Sequence, residues 1–470
     1  MYKERPQGTA LDLVGDMQLE RLIAALAPTD VVGSAAVEIR ELAYDAREVP
    51  RDSLFFCIPG ASTDGHDFAA AAVEAGAAAL VVERRLPLDV PQVVVPSVRA
   101  AMPSAAVEFF GDPTASLPVA AITGTNGKTT TAYLLWSILE AAGERPGLLT
   151  NVERRVGDER RDVGLNTPES IDLHRLFHEM LAAGNRVCVM EATSMASTKG
   201  RLDGTRFVVL VFTNLTQDHL DFHGSMEEYF EAKRRLFAQA ARAVINVGDE
   251  YGERLAATIP DAVTFRPDDS LGDIELKLRG RFNVENALAA ATAARALGIA
   301  EDPIKSGIEG IERVPGRFDE VQEGQPFTVI VDYAHTPSAL ETALEAAREL
   351  TRGRVICVFG AGGDRDRAKR PLMGQVVLEL ADVALVTSDN PRSEDPGAIA
   401  DDVVDGLDLD VELDRRRAIE RALETAQEGD VVVIAGKGHE QGQEIAGRKL
   451  PFDDREVARD VLRRLKAPTA

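Results

Sequence analysis

ITGTNGKTTTAYLL, residues 122–135, carries an apolar strand into a glycine loop and the loop into a helix. Glycine has no Cβ, so Gly124 and Gly127 let backbone N–H groups approach phosphate oxygens closely. Lys128 offers a cation to β and γ phosphates, and Thr129 or Thr130 offers a hydroxyl to Mg²⁺. The usual phosphate loop has four residues between its first glycine and the Gly-Lys pair. Here only Thr125 and Asn126 separate Gly124 from Gly127, so the loop is a shortened variant.

The chain around this loop reads as three α/β units. In residues 1–112, SLFFCI and AALVVE are expected as buried strands, with DFAAAAVEAG as the helix between them. FFGDPTASLP is a turn-rich joint. RVCVM and RFVVLVFTN extend a mostly parallel sheet through a central unit, 113–316, which ends where Pro315 and Gly316 break the pattern. From 317 to 470 the order is TVIVD, a helix from Pro337 to Leu350, RVICVF, a helix, VALVT, a helix, VVVIA and a terminal helix. That alternation predicts a doubly wound, Rossmann-like domain.

Of the 470 residues, 45% are hydrophobic, which supplies sizeable cores and argues against bulk disorder. With 77 acidic and 53 basic side chains the formal charge is −24, which argues against nucleic acid as a partner. An anionic substrate would then have to be met by basic residues and helix N-termini concentrated at its site. No apolar run reaches the ~18 residues that span a bilayer. The N-terminal MYKERPQGTALDL has no apolar signal-peptide core, so a cytoplasmic location without membrane insertion is expected. Cys57, Cys188 and Cys357 lie far apart in apolar stretches without a CxxC pair, as buried small hydrophobes do.

A nucleotide site needs metal ligands at neighbouring strand ends. Glu191 follows RVCVM and could hold the Mg²⁺ that bridges the phosphates. The next strand runs into LTQDHLDFHG, which supplies Asp218, His219, Asp221 and His223. Without HExxH or cysteine, a zinc pair is disfavoured. His219 is the better single ligand to a second Mg²⁺ or Mn²⁺, and His223 is read as a structural loop histidine. Lys233, in the run KRR, is an ordinary solvated lysine or, beside a metal, a chemically altered one; the residues alone leave both open. Asn283 and Asn286 could read an adenine edge, or Asn283 could cap a helix. Asp332 in VDYAHTP sits at a strand end suited to ribose hydroxyls. FGAGGDRDRAKRP gathers Arg365, Arg367, Lys369 and Arg370 as a candidate anion site. TSDNPR and AGKGHEQ also follow strands, so the three loops form one crevice. There Arg392 could clamp a carboxylate while Asp389 and Glu440 attract an ammonium.

Together these motifs resemble the Mur ligases, MurE type, over nearly the whole chain. The likeness runs from LAYDAREVPRDSLFFCIPGASTDGHDF through TGTNGKTT, NTPES, MEATS, FTNLTQDHLDFHG and YFEAK to VDYAHTPSAL, GGDRDRAKRPLMG, DNPR and AGKGHE. TGTNGKTT is shared across the superfamily; DNPR with GGDRD and GKGHE is specific to this branch. The resemblance implies an ATP-dependent ligase that joins a diamino acid to UDP-MurNAc-dipeptide, with ATP at Gly124–Thr130 and two Mg²⁺ ions at Thr129, Glu191 and His219. It implies that Lys233 is N-carboxylated and thereby a metal ligand. Asn283, Asn286, Arg317 and Asp332 would hold the adenosine part. Thr167, Thr193 and Arg201 would hold the UDP-sugar peptide, with Tyr44, Asp45 and Arg47 near the uridine. Arg365, Asp389, Asn390, Pro391, Arg392, Gly436 and Glu440 would receive the amino acid. DNPR is similar to the version that accepts meso-diaminopimelate, whose extra carboxylate Arg392 can pair. A monomer is expected.

The chain departs from the family pattern on the sugar-peptide side. Asp45-Ala46-Arg47 lacks the middle serine, Asn166-Thr167 replaces Thr-Thr, and Thr193-Ser194-Met195 replaces Ser-Ser-His. Three rival readings are a sister ligase with another amino acid or acceptor, a non-catalytic paralogue, and a plain P-loop NTPase. DNPR discriminates against the first, the intact phosphate and metal residues against the second, and the basic third-unit pocket against the last.

Overall fold

The computed structural model describes residues 16–60 and 63–466. The reading of MYKERPQGTALDL lies outside the described residues. Three large sheets appear among them, of five, eight and six strands. Each is sandwiched between helices, and buried cores lie on both faces.

The first sheet holds SLFFCI and AALVVE as Ser53–Phe56 and Ala77–Val82, paired in parallel, with the helix Ala69–Ala75 between them in sequence. In the central sheet, Val119–Thr123 lies between Val187–Glu191 and Phe207–Phe212, all parallel. The first two are fully buried and the third nearly so, with Val208 partly exposed, and they are continuous apolar runs because helices cover both faces. Burying each Val, Ile or Leu of such a strand contributes roughly 1.5–3 kcal/mol. One edge of this sheet is the antiparallel hairpin Arg154–Val156 and Glu159–Arg161, which the sequence reading passed over. Its strands are short, charged and only partly buried, so no apolar alternation marks them.

In the third sheet Val431–Ala435 inserts between Thr328–Asp332 and Val355–Phe359. The strand order therefore reverses there, and α/β sheets open a crevice at such a point. Between Val383–Val386 and Val431–Ala435 the sequence predicted one helix; the structure has two, Pro396–Val404 and Arg415–Thr425. Asp405 and Gly406 both adopt positive φ, 40° and 81°, and end the first of them. No helix among the described residues is long and apolar enough to cross a membrane.

Candidate active site

Strand Val119–Thr123 delivers the loop, and helix Lys128–Ala141 begins at its far end. Gly127 precedes that helix at φ 84° with no side-chain cap, so the first N–H groups are left for an anion. A Cβ on Gly127 would lie 2.3 Å from Asn286 Oδ1, and one on Gly124 would lie 1.9 Å from Thr213 Oγ1. Glycine is therefore required twice, for φ and for close packing. Lys128 Nζ donates to the carbonyls of Gly124 (3.0 Å) and Thr125 (2.7 Å), and burial lowers its pKa.

The loop opens into a cavity of ≈ 950 Å³ that is also lined by the strand-end loops of the third sheet. Thr129 Oγ1 donates to Glu191 Oε1 at 2.8 Å, so the hydroxyl and carboxylate expected to share a metal already touch. Asn151 joins them. Its N–H donates to Glu191 Oε1 (3.1 Å), and its Oδ1 lies 3.0 Å from Thr129 Oγ1 and accepts from Arg317 Nη2 (3.2 Å). Sequence reading missed Asn151; its position just after strand Pro146–Leu149 was the available signal.

His219 lines the same cavity, and burial pushes its pKa down to about 3, which keeps a ring lone pair available to a metal. Among the described residues no group of three His, Cys, Asp or Glu side chains forms a ready-made metal cage. The groups that could hold Mg²⁺ are instead the hydroxyl of Thr129, the carboxylate of Glu191 and the imidazole of His219, all of which line the cavity. His223 is buried against Ser194 Oγ (2.9 Å) and stacks on Tyr229, the structural role expected of it.

Lys233 is not a solvated lysine. It is 1% exposed, and its Nζ donates to the Gly124 carbonyl at 2.8 Å and lies 4.5 Å from the Tyr229 ring centre. Burial, and then Lys128, hold its pKa well below the ordinary lysine value.

Asn286, Arg317 and Asp332 line the cavity; Asn283 does not. Asn283 lies inside helix Arg281–Ala296, so it is not the cap. Its carboxamide donates to Arg279 O (2.7 Å) and accepts from Asn286 Nδ2 (3.1 Å), which holds Asn286 from behind. Asp332 accepts backbone N–H bonds from Phe318 (2.6 Å) and Ala334 (2.7 Å).

At the third-unit end the cavity is lined by Arg365, Asp389, Asn390, Arg392, Gly436 and Glu440, with Pro391 outside it. The basic run divides. Arg365 faces the cavity, while Arg367 pairs with Asp402 (2.9 Å) and the fully buried Arg370 with Glu394 (2.7 Å) and Asp402 (2.9 Å). These two arginines brace the fold, so the run is not one anion site. Lys369 reaches across to Asp218 of the central unit (3.4 Å), and His439 Nε2 lies 2.8 Å from the Asn151 carbonyl. Third and central units therefore meet over the phosphate loop.

Thr167, Thr193 and Arg201 line the main cavity, together with Asn166 and Met195. The two threonine hydroxyls are 3.1 Å apart, and Arg201 pairs with Glu169 at 2.8 Å. Tyr44, Asp45 and Arg47 line a separate cavity of ≈ 540 Å³ with Asp172 and Arg175. Tyr44 bonds Asp172, and Arg47 pairs with Asp45 at 2.5 Å.

A phosphate loop with a hydroxyl–carboxylate pair beside it, and a third domain packed over the same cavity, fit a nucleotide-dependent enzyme of three-domain α/β architecture. Comparison with known proteins agrees. Residues 38–111 match the model of the Mur ligase family catalytic domain, 122–266 that of the Mur ligase middle domain, and 316–438 that of the Mur ligase glutamate ligase domain. A UDP-N-acetylmuramoyl-L-alanyl-D-glutamate–2,6-diaminopimelate ligase of Geobacter metallireducens is 42% identical, covering 96% of this chain and 99% of its own. A ligase of the same name from Geobacillus kaustophilus is 45% identical, over 91% and 95%. A solved structure of such a ligase superposes with a TM-score of 0.64 at 30% identity, over 96% and 99%. Mycobacterium tuberculosis folylpolyglutamate synthase shares the fold, with a TM-score of 0.59 at 20% identity over 77% and 94%. The chain belongs to the Mur ligase family.

Proposed function

We propose that this enzyme adds meso-diaminopimelate to UDP-N-acetylmuramoyl-L-Ala-D-Glu in peptidoglycan synthesis, through an acyl phosphate. The observation that carries the reading is one cavity running from the phosphate loop to a corner holding both Arg392 and the carboxylates of Asp389 and Glu440. A zwitterion with a second carboxylate suits that corner; lysine, lacking that carboxylate, offers Arg392 no anion beyond the distant Glu444 (3.6 Å). The names of the relatives agree with it.

In this mechanism the acceptor carboxylate attacks the γ-phosphorus of ATP, and ADP leaves. The amine nitrogen then attacks the acyl carbon, loses its proton, and phosphate departs. Lys128 and the N–H groups of the loop hold the phosphates in line. Mg²⁺, when bound by Thr129, Glu191 and His219, supplies charge neutralisation. Lys233 is buried beside Lys128, and among the described residues a carbonyl is its only hydrogen-bond partner. An amine whose pKa burial lowers can lose its proton and add CO₂, and so would become an N-carboxylated metal ligand. Asn286, Arg317 and Asp332 serve the adenosine side, and Asn283 acts through Asn286. Thr167, Thr193 and Arg201 take the sugar-peptide, with Tyr44, Asp45 and Arg47 at its uridine end. We take 1–112, 113–316 and 317–470 as the domains, and a cytoplasmic monomer as the working form.

The test is phosphate release from ATP with each substrate omitted in turn. Release should require both the UDP-MurNAc-dipeptide and the diamino acid, and hydroxylamine should trap an acyl hydroxamate. Release that ignores the amino acid would refute the reading.

A further inference from the structure

Lys437 lies between two glycines of AGKGHEQ and is 0% exposed. Gly436 and Gly438 adopt φ 118° and 54°. A Cβ on the first would lie 2.5 Å from Asp389 Oδ2, and one on the second 2.6 Å from the Gly316 carbonyl. The turn is thus packed tightly on both sides, with the lysine directed inward.

The ammonium of Lys437 has two partners. It donates to Glu440 Oε2 at 2.8 Å and to Asn390 Oδ1 at 3.0 Å. Asn390 Nδ2 donates to the same Glu440 Oε2 at 2.8 Å, closing a three-membered ring of side chains. The Glu444 N–H also donates to Asn390 Oδ1, at 3.0 Å, so the orientation of the amide is fixed by two donors on its oxygen and a carboxylate at its nitrogen. Asn390 and Glu440 line the cavity; Lys437 is behind them.

A buried ion pair is a poor source of net stability, because desolvation offsets much of the attraction and an apolar side chain often serves as well. What such a network provides is fixed geometry. Here both donors converge on Oε2, which leaves Oε1 of Glu440 for the cavity. Asp389 also lines the cavity; its Oδ1 accepts from the Asn390 N–H (2.7 Å), while its Oδ2 is buried without a hydrogen-bond partner among the described residues. Two carboxylate oxygens on neighbouring loops thus stand ready for an ammonium group.

We infer that Lys437 is a positioning residue for the incoming amino acid, fixing Glu440 and the Asn390 amide so that Glu440 Oε1 and Asp389 Oδ2 receive its ammonium group. The inference rests on the amino-acid corner proposed above. It goes beyond that reading by assigning the geometry of the corner to a cation that never touches substrate.

The experiment is steady-state kinetics of the full-length enzyme carrying Lys437→Met, which keeps the volume and removes the charge. ATP, UDP-MurNAc-dipeptide and meso-diaminopimelate are each varied. KM for the diamino acid should rise roughly 10- to 100-fold, while KM for the other two substrates stays within about twofold and kcat within about threefold. Lys437→Gln, which keeps one donor, should recover at least part of the loss, and it serves as the test if the Met variant does not fold. Equal shifts in all three KM values, or an unchanged KM for the diamino acid, would overturn the inference. Wild-type enzyme assayed with meso-diaminopimelate, lysine and ornithine tests the function separately. Should the wild type choose another amino acid, the same KM split is measured with that one, because the ammonium grip is common to them.

Discussion

The phosphate end of the cavity and its amino-acid end handle charge in opposite ways. At the phosphate end, Lys128 and Lys233 bond to backbone carbonyls, and the helix N-terminus has no side-chain cap. Lys128 and the helix N-terminus wait for anions, while Lys233, its pKa lowered by burial, is the amine proposed above to take up CO₂. At the amino-acid end most charges are already matched: Lys437 to Glu440, Arg370 to Glu394 and Asp402, Arg367 to Asp402. Fewer cavity-lining groups lack a close partner for their charge: Asp389 Oδ2 has no hydrogen-bond partner among the described residues, and Arg392 has the Glu444 carboxylate only at 3.6 Å. In a chain of charge −24 a basic run is thus a weak indicator of a site. What marks the site is a charge that faces the cavity with no close carboxylate partner.

The largest effect should come from Lys128→Ala. Losing a cation that faces developing phosphate charge should lower kcat roughly 10³-fold in a phosphate-release assay, with the melting temperature little changed. A loss below about tenfold would break the contrast at its phosphate end.

Lys233→Ala should follow, at roughly 10²-fold in kcat, with partial recovery on adding a short carboxylate. Wild-type enzyme depleted of CO₂ should lose activity and regain it with bicarbonate. An undiminished rate in Lys233→Ala would remove it from the metal centre.

Arg392 and Arg370 sharpen the other half of the comparison. Arg392→Ala should reduce the preference for meso-diaminopimelate over lysine roughly 10- to 100-fold, the worth of a charge-assisted hydrogen bond of about 1.5–3 kcal/mol. Arg370→Met should leave that preference intact while costing about 1–3 kcal/mol in denaturant unfolding, because it takes a buried cation from Glu394 and leaves Asp402 with Arg367 alone. A preference altered equally by both would show that matched and unmatched charges cannot be told apart here.

The smallest effect on turnover is expected from His174→Leu. Both ring nitrogens of His174 are buried without partners among the described residues, and burial pushes its pKa down to about 4. As pH falls below the unfolded value of about 6.5, the unfolded chain binds a proton that the folded chain refuses, so stability falls with pH until about 4. The variant should lose roughly 2 kcal/mol less than wild type between pH 7 and 5. Equal losses would place the acid sensitivity elsewhere, in His219, His223 or His439, whose pKa values burial also lowers.

Much of this was legible in the sequence. Continuous apolar runs gave the strands, and the glycine loop gave the nucleotide end, because a parallel sheet needs buried strands and a phosphate needs bare backbone. Glu191, His219 and Lys233 were readable as strand-end or helix residues near that loop, and the structure gathers them around one cavity. What stayed hidden depends on side chains meeting across the fold. The burial of Lys233, the bonds of Asn151 to both Thr129 and Glu191, and the pairing of Arg367 and Arg370 with distant carboxylates leave no mark in local spacing. Lys437 was in view within AGKGHEQ, but only its inward path gives it a role.

The most direct measurement offers meso-diaminopimelate, lysine and ornithine in parallel to the enzyme with ATP and UDP-MurNAc-dipeptide, and identifies products by mass. The account expects a UDP-MurNAc-tripeptide that contains meso-diaminopimelate, formed with one phosphate released per amide bond. A tripeptide formed equally well with lysine would contradict the role of Arg392, and no amino-acid adduct at all would contradict the central claim.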